Sequence, residues 1–159
     1  MKKLLFGAIV SLGFLMGCNT TEYNYQSFTN FDKGMWYYDS AAIFDFEAPN
    51  THEPFDINYN VRNALAYPYY NLYIQYELMD SAGNVLKSAL AQDILMDPTS
   101  GKPFGTSAGE MYNHEFNLIP NYKFPYQGSF QLRLKQNMRM DTLTDIYAIG
   151  ASIKPSENP

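Results

Sequence analysis

Phe55-Asp56-Ile57-Asn58-Tyr59-Asn60-Val61-Arg62 alternates apolar and polar side chains for eight residues without a break. Successive side chains of a strand point to opposite faces, so this period of two lines up four apolar groups on one side. A helix would scatter the same groups around its circumference. The period returns in Phe44-Asp45-Phe46-Glu47 and in Leu72, Ile74, Tyr76 and Leu78, which oppose Tyr73, Gln75 and Glu77. It returns again in Phe130, Leu132 and Leu134, which oppose Gln131, Arg133 and Lys135. Asp80-Ser81-Ala82-Gly83-Asn84 is turn chemistry, so Val85 to Leu95 is expected to fold back as a hairpin partner. Phe116 and Leu118 mark a short strand, and Ile146 to Ile153 closes the series.

No window carries a sustained helical stripe; Met138 to Asp145 has room for a single turn. About eight short strands, punctuated by Pro, Gly and Asn, predict an all-β fold. The expected architecture is an antiparallel β-sandwich of jelly-roll or immunoglobulin-like type, each sheet with one wet face. The final strand lacks clean alternation, which predicts burial on both faces or a bulge near Gly150. Two segments break the rhythm. Tyr67-Pro68-Tyr69-Tyr70-Asn71-Leu72 joins two strands through a proline. Asp97 to Glu110 is polar, Gly-rich and without period, the profile of a long functional loop.

The start of the chain has a separate logic. Lys2 and Lys3 precede the apolar stretch Leu4 to Met16, and Leu15-Met16-Gly17-Cys18 follows with the only cysteine. That is the anatomy of a secretory signal peptide, and its end resembles the bacterial lipobox. The 13-residue stretch would make a helix ~20 Å long, short of the ~30 Å hydrocarbon core of a bilayer. Residues 1–17 are therefore expected to be cleaved, leaving Cys18 to carry a diacylglycerol on sulfur and an acyl chain on its amine. Such anchoring is lasting when two or more chains insert. The expected organisation is a lipidated tether over 18–29, a sandwich over 30–154 and a flexible tail over 155–159.

The chain carries a net charge of −5, and removing Lys2 and Lys3 takes the mature part to −7. That balance argues against nucleic acid and against docking on anionic head groups. With its single thiol acylated the domain has no internal disulfide and depends on its core. Motifs for chemistry are sparse. The two histidines, His52 and His114, stand far apart and read as surface groups with no metal or other cofactor expected. No Gly-x-Ser-x-Gly elbow occurs. Gly101, Gly105 and Gly109 recur every four residues but form no phosphate loop, so they read as backbone flexibility. Carboxylates at strand ends leave a glycan hydrolase as a minor reading. Trp36-Tyr37-Tyr38 and Tyr67-Pro68-Tyr69-Tyr70 offer flat rings for sugars or for a partner protein, against the plainer reading of core packing. Arg62 and Arg139 read as structural cations pairing across the sandwich, with an anion or partner site as the lesser alternative.

Several of these features occur together in one order. They are the lipobox, Trp36, Val61-Arg62 leading to Tyr67-Pro68-Tyr69-Tyr70-Asn71-Leu72, and glycines 101, 105 and 109. Gly128-Ser129-Phe130, Gln136-Asn137-Met138-Arg139 and Ile149-Gly150 follow. This order resembles GldH, the gliding motility lipoprotein family of the Bacteroidota. The loop departs from it, because Lys102-Pro103 stands where a more aromatic stretch is usual. The resemblance implies a non-enzymatic envelope component that supports gliding and the linked type IX secretion machinery. Its partners would be membrane lipid through Cys18 and other gliding or secretion proteins, with no nucleic acid and no small-molecule substrate. Asn19 after the cysteine, with no acidic run, favours the periplasmic face of the outer membrane. The candidate interaction surface is Trp36, Tyr69, Tyr70, Gly101, Lys102 and Gly105; the alternative is a glycan-binding lipoprotein module using its aromatic rings.

Overall fold

Residues 24–49 and 51–157 are described by a computed structural model. Cys18 and the leader before it lie outside the described residues. The strands run in chain order as β1 (Tyr25–Asn30), β2 (Trp36–Tyr37), β3 (Ala42–Glu47), β4 (Phe55–Ala64), β5 (Asn71–Asp80) and β6 (Val85–Ile94). They continue as β7 (Thr106–Ala108), β8 (Met111–Tyr122), β9 (Ser129–Gln136), β10 (Thr142–Leu143) and β11 (Ile146–Pro155). Three are only two or three residues long, so eight substantial strands remain, as the alternation predicted. They form a five-stranded sheet, β1-β11-β4-β8-β7, a four-stranded sheet, β3-β9-β5-β6, and a small β10-β2 ribbon. Every pairing is antiparallel. The fold is a β-sandwich.

The inner faces are the apolar halves of the alternating strands. Phe55, Ile57, Tyr59 and Val61 of β4 and Ile149, Ala151 and Ile153 of β11 share one buried cluster with Leu72, Ile74 and Leu78 of β5 and Leu132 and Leu134 of β9. Phe124 closes one end, its ring 5.1 Å from both Tyr122 and Phe130. Trp36 closes the other. It is fully buried, stacks on Phe31 at 5.1 Å and donates from Nε1 to the Ser40 carbonyl at 2.7 Å. One polar bond crosses between the sheets: the Tyr59 hydroxyl donates to Asp93 Oδ2 at 2.6 Å. Burial, and then this carboxylate, push the Tyr59 hydroxyl's pKa up, so it stays a donor.

The turn over Asp80 to Asn84 forms as its residues predict. Asp80 Oδ1 accepts from the amides of Ala82 and Asn84, and Gly83 takes the positive φ of 84°. Other expectations are corrected. The sandwich begins at Tyr25 rather than residue 30, because β1 pairs with β11 along its whole length. Pro155 ends β11, and the Ser156 amide donates to the Pro54 carbonyl at 3.1 Å, so the folded part reaches past 154. The last strand is covered on both faces, being central between β1 and β4, but its irregularity lies between Ile146 and Ala148. Gly150 instead marks a close approach: a Cβ there would sit 2.6 Å from the Phe28 ring.

The short strand expected around Phe116 is twelve residues long. Its alternation is broken because Ile57 pairs with Ile119 while Asn58 pairs with Asn117, leaving Leu118 as an extra residue. The bulge buries Leu118 and Ile119 consecutively. The loop from Asp97 is ordered by its first residue, whose Oδ1 accepts from the amides of Thr99 and Ser100. Its last part is β7, joined to β8 by a tight turn at Gly109, φ 70°. Met138 to Asp145 holds β10 in place of a helical turn.

Removing a buried methyl cluster should separate the two faces energetically. Ile74→Ala, at a fully buried site, is expected to lose about 2–5 kcal/mol in urea unfolding. Ile43→Ala, on the wet face of β3, should stay within about 0.5 kcal/mol of the parent.

Candidate functional site

β9 continues its inward row Phe130, Leu132, Leu134 with a polar residue, Gln136, which is fully buried. A buried amide must find partners, and this one finds them in the loop that follows. Gln136 Oε1 accepts from the Met138 amide at 2.9 Å, and its Nε2 donates to the Met140 carbonyl at 3.0 Å. The Asn137 amide donates to the Tyr73 carbonyl at 2.8 Å. These three bonds hold Asn137 to Met140 against β5, where Met138 Sδ lies 3.4 Å from the Tyr73 amide nitrogen.

The second wall comes from the Tyr-Pro-Tyr-Tyr connection. Tyr67 is buried, its pKa raised by burial, and its hydroxyl donates to the Asn71 carbonyl at 2.9 Å. Its ring meets Tyr69 edge-on at 5.7 Å and fixes that half-buried side chain. Between the walls opens a cleft of about 530 Å³, lined by Tyr69, Tyr73, Leu90, Asn137, Met138, Arg139 and Met140. Tyr73 and Leu90 place it on the outer face of the four-stranded sheet, opposite the buried row of β5.

The cleft is suited to recognition. Two methionines and two tyrosines give an apolar lining that adapts its shape. Arg139 is its one charge, exposed and without an ion pair among the described residues. The lining contains no carboxylate, histidine or hydroxyl nucleophile beyond the phenols. Asp45 and Asp80 share a smaller depression of about 220 Å³, where a hydrolase would need a free pair. Both are engaged: Asp45 Oδ1 accepts from Gln131 Nε2 at 2.7 Å, and bonds from the Asn84 side chain and amide hold the Asp80 carboxyl below its usual range. Among the described residues no three His, Cys, Asp or Glu side chains cluster to hold a metal, and no helix is long and apolar enough to cross a membrane.

The residues singled out from the sequence are only partly brought together. Tyr69 lies in the cleft. Tyr70 is 48% exposed beside it, its carbonyl accepting from the amides of Leu95 and Met96. Trp36 is removed from any surface by its burial, so the three rings form no common platform. Gly101, φ 68°, closes the Asp97 turn by donating its amide to the Asp97 carbonyl. Lys102 is exposed on that turn, and neither residue lines the cleft. Gly105 is a packing glycine, since a Cβ there would come 2.7 Å from the His114 ring.

His114 is not the surface group expected. It faces inward on β8 opposite Val61, is 7% exposed and stacks on Phe116 at 5.8 Å. Arg62 does not cross the sandwich; it is exposed and donates from Nε to Asn113 Oδ1 at 2.9 Å. Gln136, quoted above only as part of the Gln136-Asn137-Met138-Arg139 stretch, is the site residue whose role the sequence reading did not assign. Its signal was present: a glutamine standing at the next inward position of an otherwise apolar row.

Comparison with known proteins follows the same residues. Residues 23–153 match the family model described as GldH lipoprotein. A protein named gliding motility lipoprotein GldH homolog, from Christiangramia forsetii, is 26% identical over 130 residues, covering 77% of this chain and 79% of that protein. Among solved structures, the infectious bursal disease virus VP2 subviral particle aligns with a TM-score of 0.37 at 12% identity. That alignment covers 95% of this chain and 38% of the viral one. The Gx strain of the same virus gives a TM-score of 0.36 at 13% identity, covering 94% of this chain and 37% of the viral one. This chain spans well under half of those viral chains, and similarity at that level carries no argument.

Two measurements address the site. Gln136→Leu leaves the Met138 amide and Met140 carbonyl without partners and is expected to destabilise the fold by about 2 kcal/mol, read by urea unfolding. For His114, burial lowers the folded pKa below the ordinary 6.5. Its contribution is therefore complete above that pH and is lost as pH falls toward the lowered folded value. The unfolding free energy should decline below pH ~6.5 and flatten in His114→Phe, measured as midpoint against pH.

Proposed function

Because the chain belongs to the GldH lipoprotein family, we propose that it is a lipid-anchored, non-enzymatic envelope component that supports gliding motility and the linked type IX secretion machinery by docking a partner protein. The observation that carries this reading is the cleft, apolar and adaptable around a single arginine that has no ion pair among the described residues. Such a lining fits a partner segment that presents an apolar side chain beside a carboxylate. The guanidinium can take that carboxylate through two parallel bonds.

The direction of the chain supports mooring through Cys18. Residue 24 enters the five-stranded sheet at its β1 edge, while the cleft opens on the outer face of the other sheet. Six residues lie between Cys18 and Tyr25, so seven Cα steps give a reach of up to ~24 Å. A molecule tethered this way can rest its five-stranded sheet toward the bilayer and present the cleft to the aqueous side. On the sequence grounds given for Asn19, that side is the periplasm beneath the outer membrane. A glycan module is the weaker reading, since Trp36 is buried.

The test replaces the resident protein with full-length variants. Arg139→Glu and Met140→Ser, both at exposed positions of the loop, should accumulate normally in the membrane fraction yet cut colony spreading or type IX cargo secretion at least tenfold. Full spreading and secretion by both variants would contradict docking at the cleft. Cys18→Ala should leave the membrane fraction with its signal peptide uncleaved by the lipoprotein peptidase. Normal processing there would contradict the anchor.

A further inference from the structure

The four sheet edges are guarded unequally. β7 is three residues long and covers only Met111–Asn113 of β8, whose remaining edge is interrupted by Pro120, and β3 turns Asp45 and Glu47 outward. β1 is six residues long. β6 is ten residues long, contains no proline, and is exposed through its first six residues. Its partner β5 occupies one side only, so the backbone donors and acceptors of its other side face solvent. A bulge at Leu86 interrupts the edge, and from Lys87 to Ile94 it runs in regular register; an open regular edge of that length is a template for pairing with another strand.

The side chains of β6 specify which strand fits. From the regular part of the strand, one face carries Ser88, Leu90, Gln92 and Ile94, and the other carries Lys87, Ala89, Ala91 and Asp93. Leu90 and Ile94 on the first of these faces are 50% and 37% exposed. Set antiparallel to a copy of itself about Leu90, the strand is self-complementary. Leu90 meets Leu90, Ser88 meets Gln92, Ala89 meets Ala91, and Lys87 meets Asp93, all within the regular stretch from Lys87 to Ile94. Directly opposed pairs of these kinds stabilise a ladder, whereas opposed like charges weaken it. Asp93 already accepts the Tyr59 hydroxyl on Oδ2, which leaves its second oxygen for the incoming lysine.

We infer that the protein forms a two-fold dimer through antiparallel β6–β6 pairing, joining two four-stranded sheets into one of eight strands. The two-fold axis is then normal to the sheet, an isologous arrangement in which both copies turn the same face the same way. Both β1 edges therefore lie on one side, from which two tethers reach one bilayer, and both clefts open on the other. Leu90 lines each cleft and sits on the axis, so the two clefts meet across it. This inference goes beyond the docking reading and does not depend on it.

Cysteine cross-linking of the full-length lipidated protein tests it. Leu90→Cys places two thiols opposite each other, within the ~4.4–6.8 Å Cα separation that a disulfide spans. Mild oxidation should convert at least half of it to a species of twice the monomer mass on a non-reducing gel. Lys87→Cys faces residue 93 of the second copy, so its own thiols lie ~20 Å apart and should not join. The wild type, whose single cysteine is at 18, controls for links through that position. Failure of Leu90→Cys to dimerise, equal cross-linking by Lys87→Cys, or capture of a different protein by Leu90→Cys would each overturn the inference. Loss of spreading in Arg139→Glu with normal Leu90→Cys cross-linking would separate the two readings.

Discussion

The mutual burial of two apolar sheet faces is the constraint on which everything else rests. Ile57, Tyr59 and Val61 on one sheet and Ile74, Leu78 and Leu132 on the other are each at or near complete burial. Neither row has another surface to cover it. Each such side chain removed from water contributes roughly 1.5–3 kcal/mol. No disulfide among the described residues shares that task, because the chain's single cysteine stands at 18. The Tyr59–Asp93 bond adds direction to this apolar contact by tying β4 to the outermost strand of the facing sheet.

A rigid sandwich lets its connections carry recognition. The loop after β9 would be a free tail of the strand if Gln136 were leucine. As it stands, a buried amide with two bonds turns Met138, Arg139 and Met140 over the outer face. Tyr67 does the same for Tyr69 by filling the end of the core and bonding the backbone four residues on. Two of the stretches that carried the resemblance to GldH, Tyr-Pro-Tyr-Tyr-Asn-Leu and Gln-Asn-Met-Arg, thus converge on one cleft. Their shared role is positional: one buried residue in each holds exposed neighbours in place.

Where period two ran unbroken, in β3, β4, β5 and β9, the sequence showed the strand and its apolar inner face, but Asn58 and Asn60 on the polar face of β4 are buried rather than wet. The sequence showed the Asp80 turn as well, because aspartate, glycine and asparagine there have local work to do. The signal failed where tertiary structure overrides the period. The extra residue at Leu118 shifts the inward set of β8 by one, so a twelve-residue strand looked like a short one. β1 is short and polar at alternate positions, and only its pairing with β11 makes it part of the sheet. Trp36 and His114 carry polar handles and look equally suited to surface or core; the hydrogen bond to Ser40 and the packing on Gly105 decide, and both come from chain segments with no period of their own. The cleft was half visible through Tyr69. Its other half depended on a buried glutamine whose partners are backbone groups, which no side-chain pattern records.

Amide hydrogen exchange on the full-length lipidated chain tests the central claim most directly, because it reports burial and the glutamine clamp together. The Met138 amide, although it lies in a loop, should exchange with the slow set formed by β5 and β9. Exchange of Met138 at the rate of an exposed loop, or rapid exchange through β5 and β9, would contradict the account of a packed sandwich presenting a pre-formed cleft.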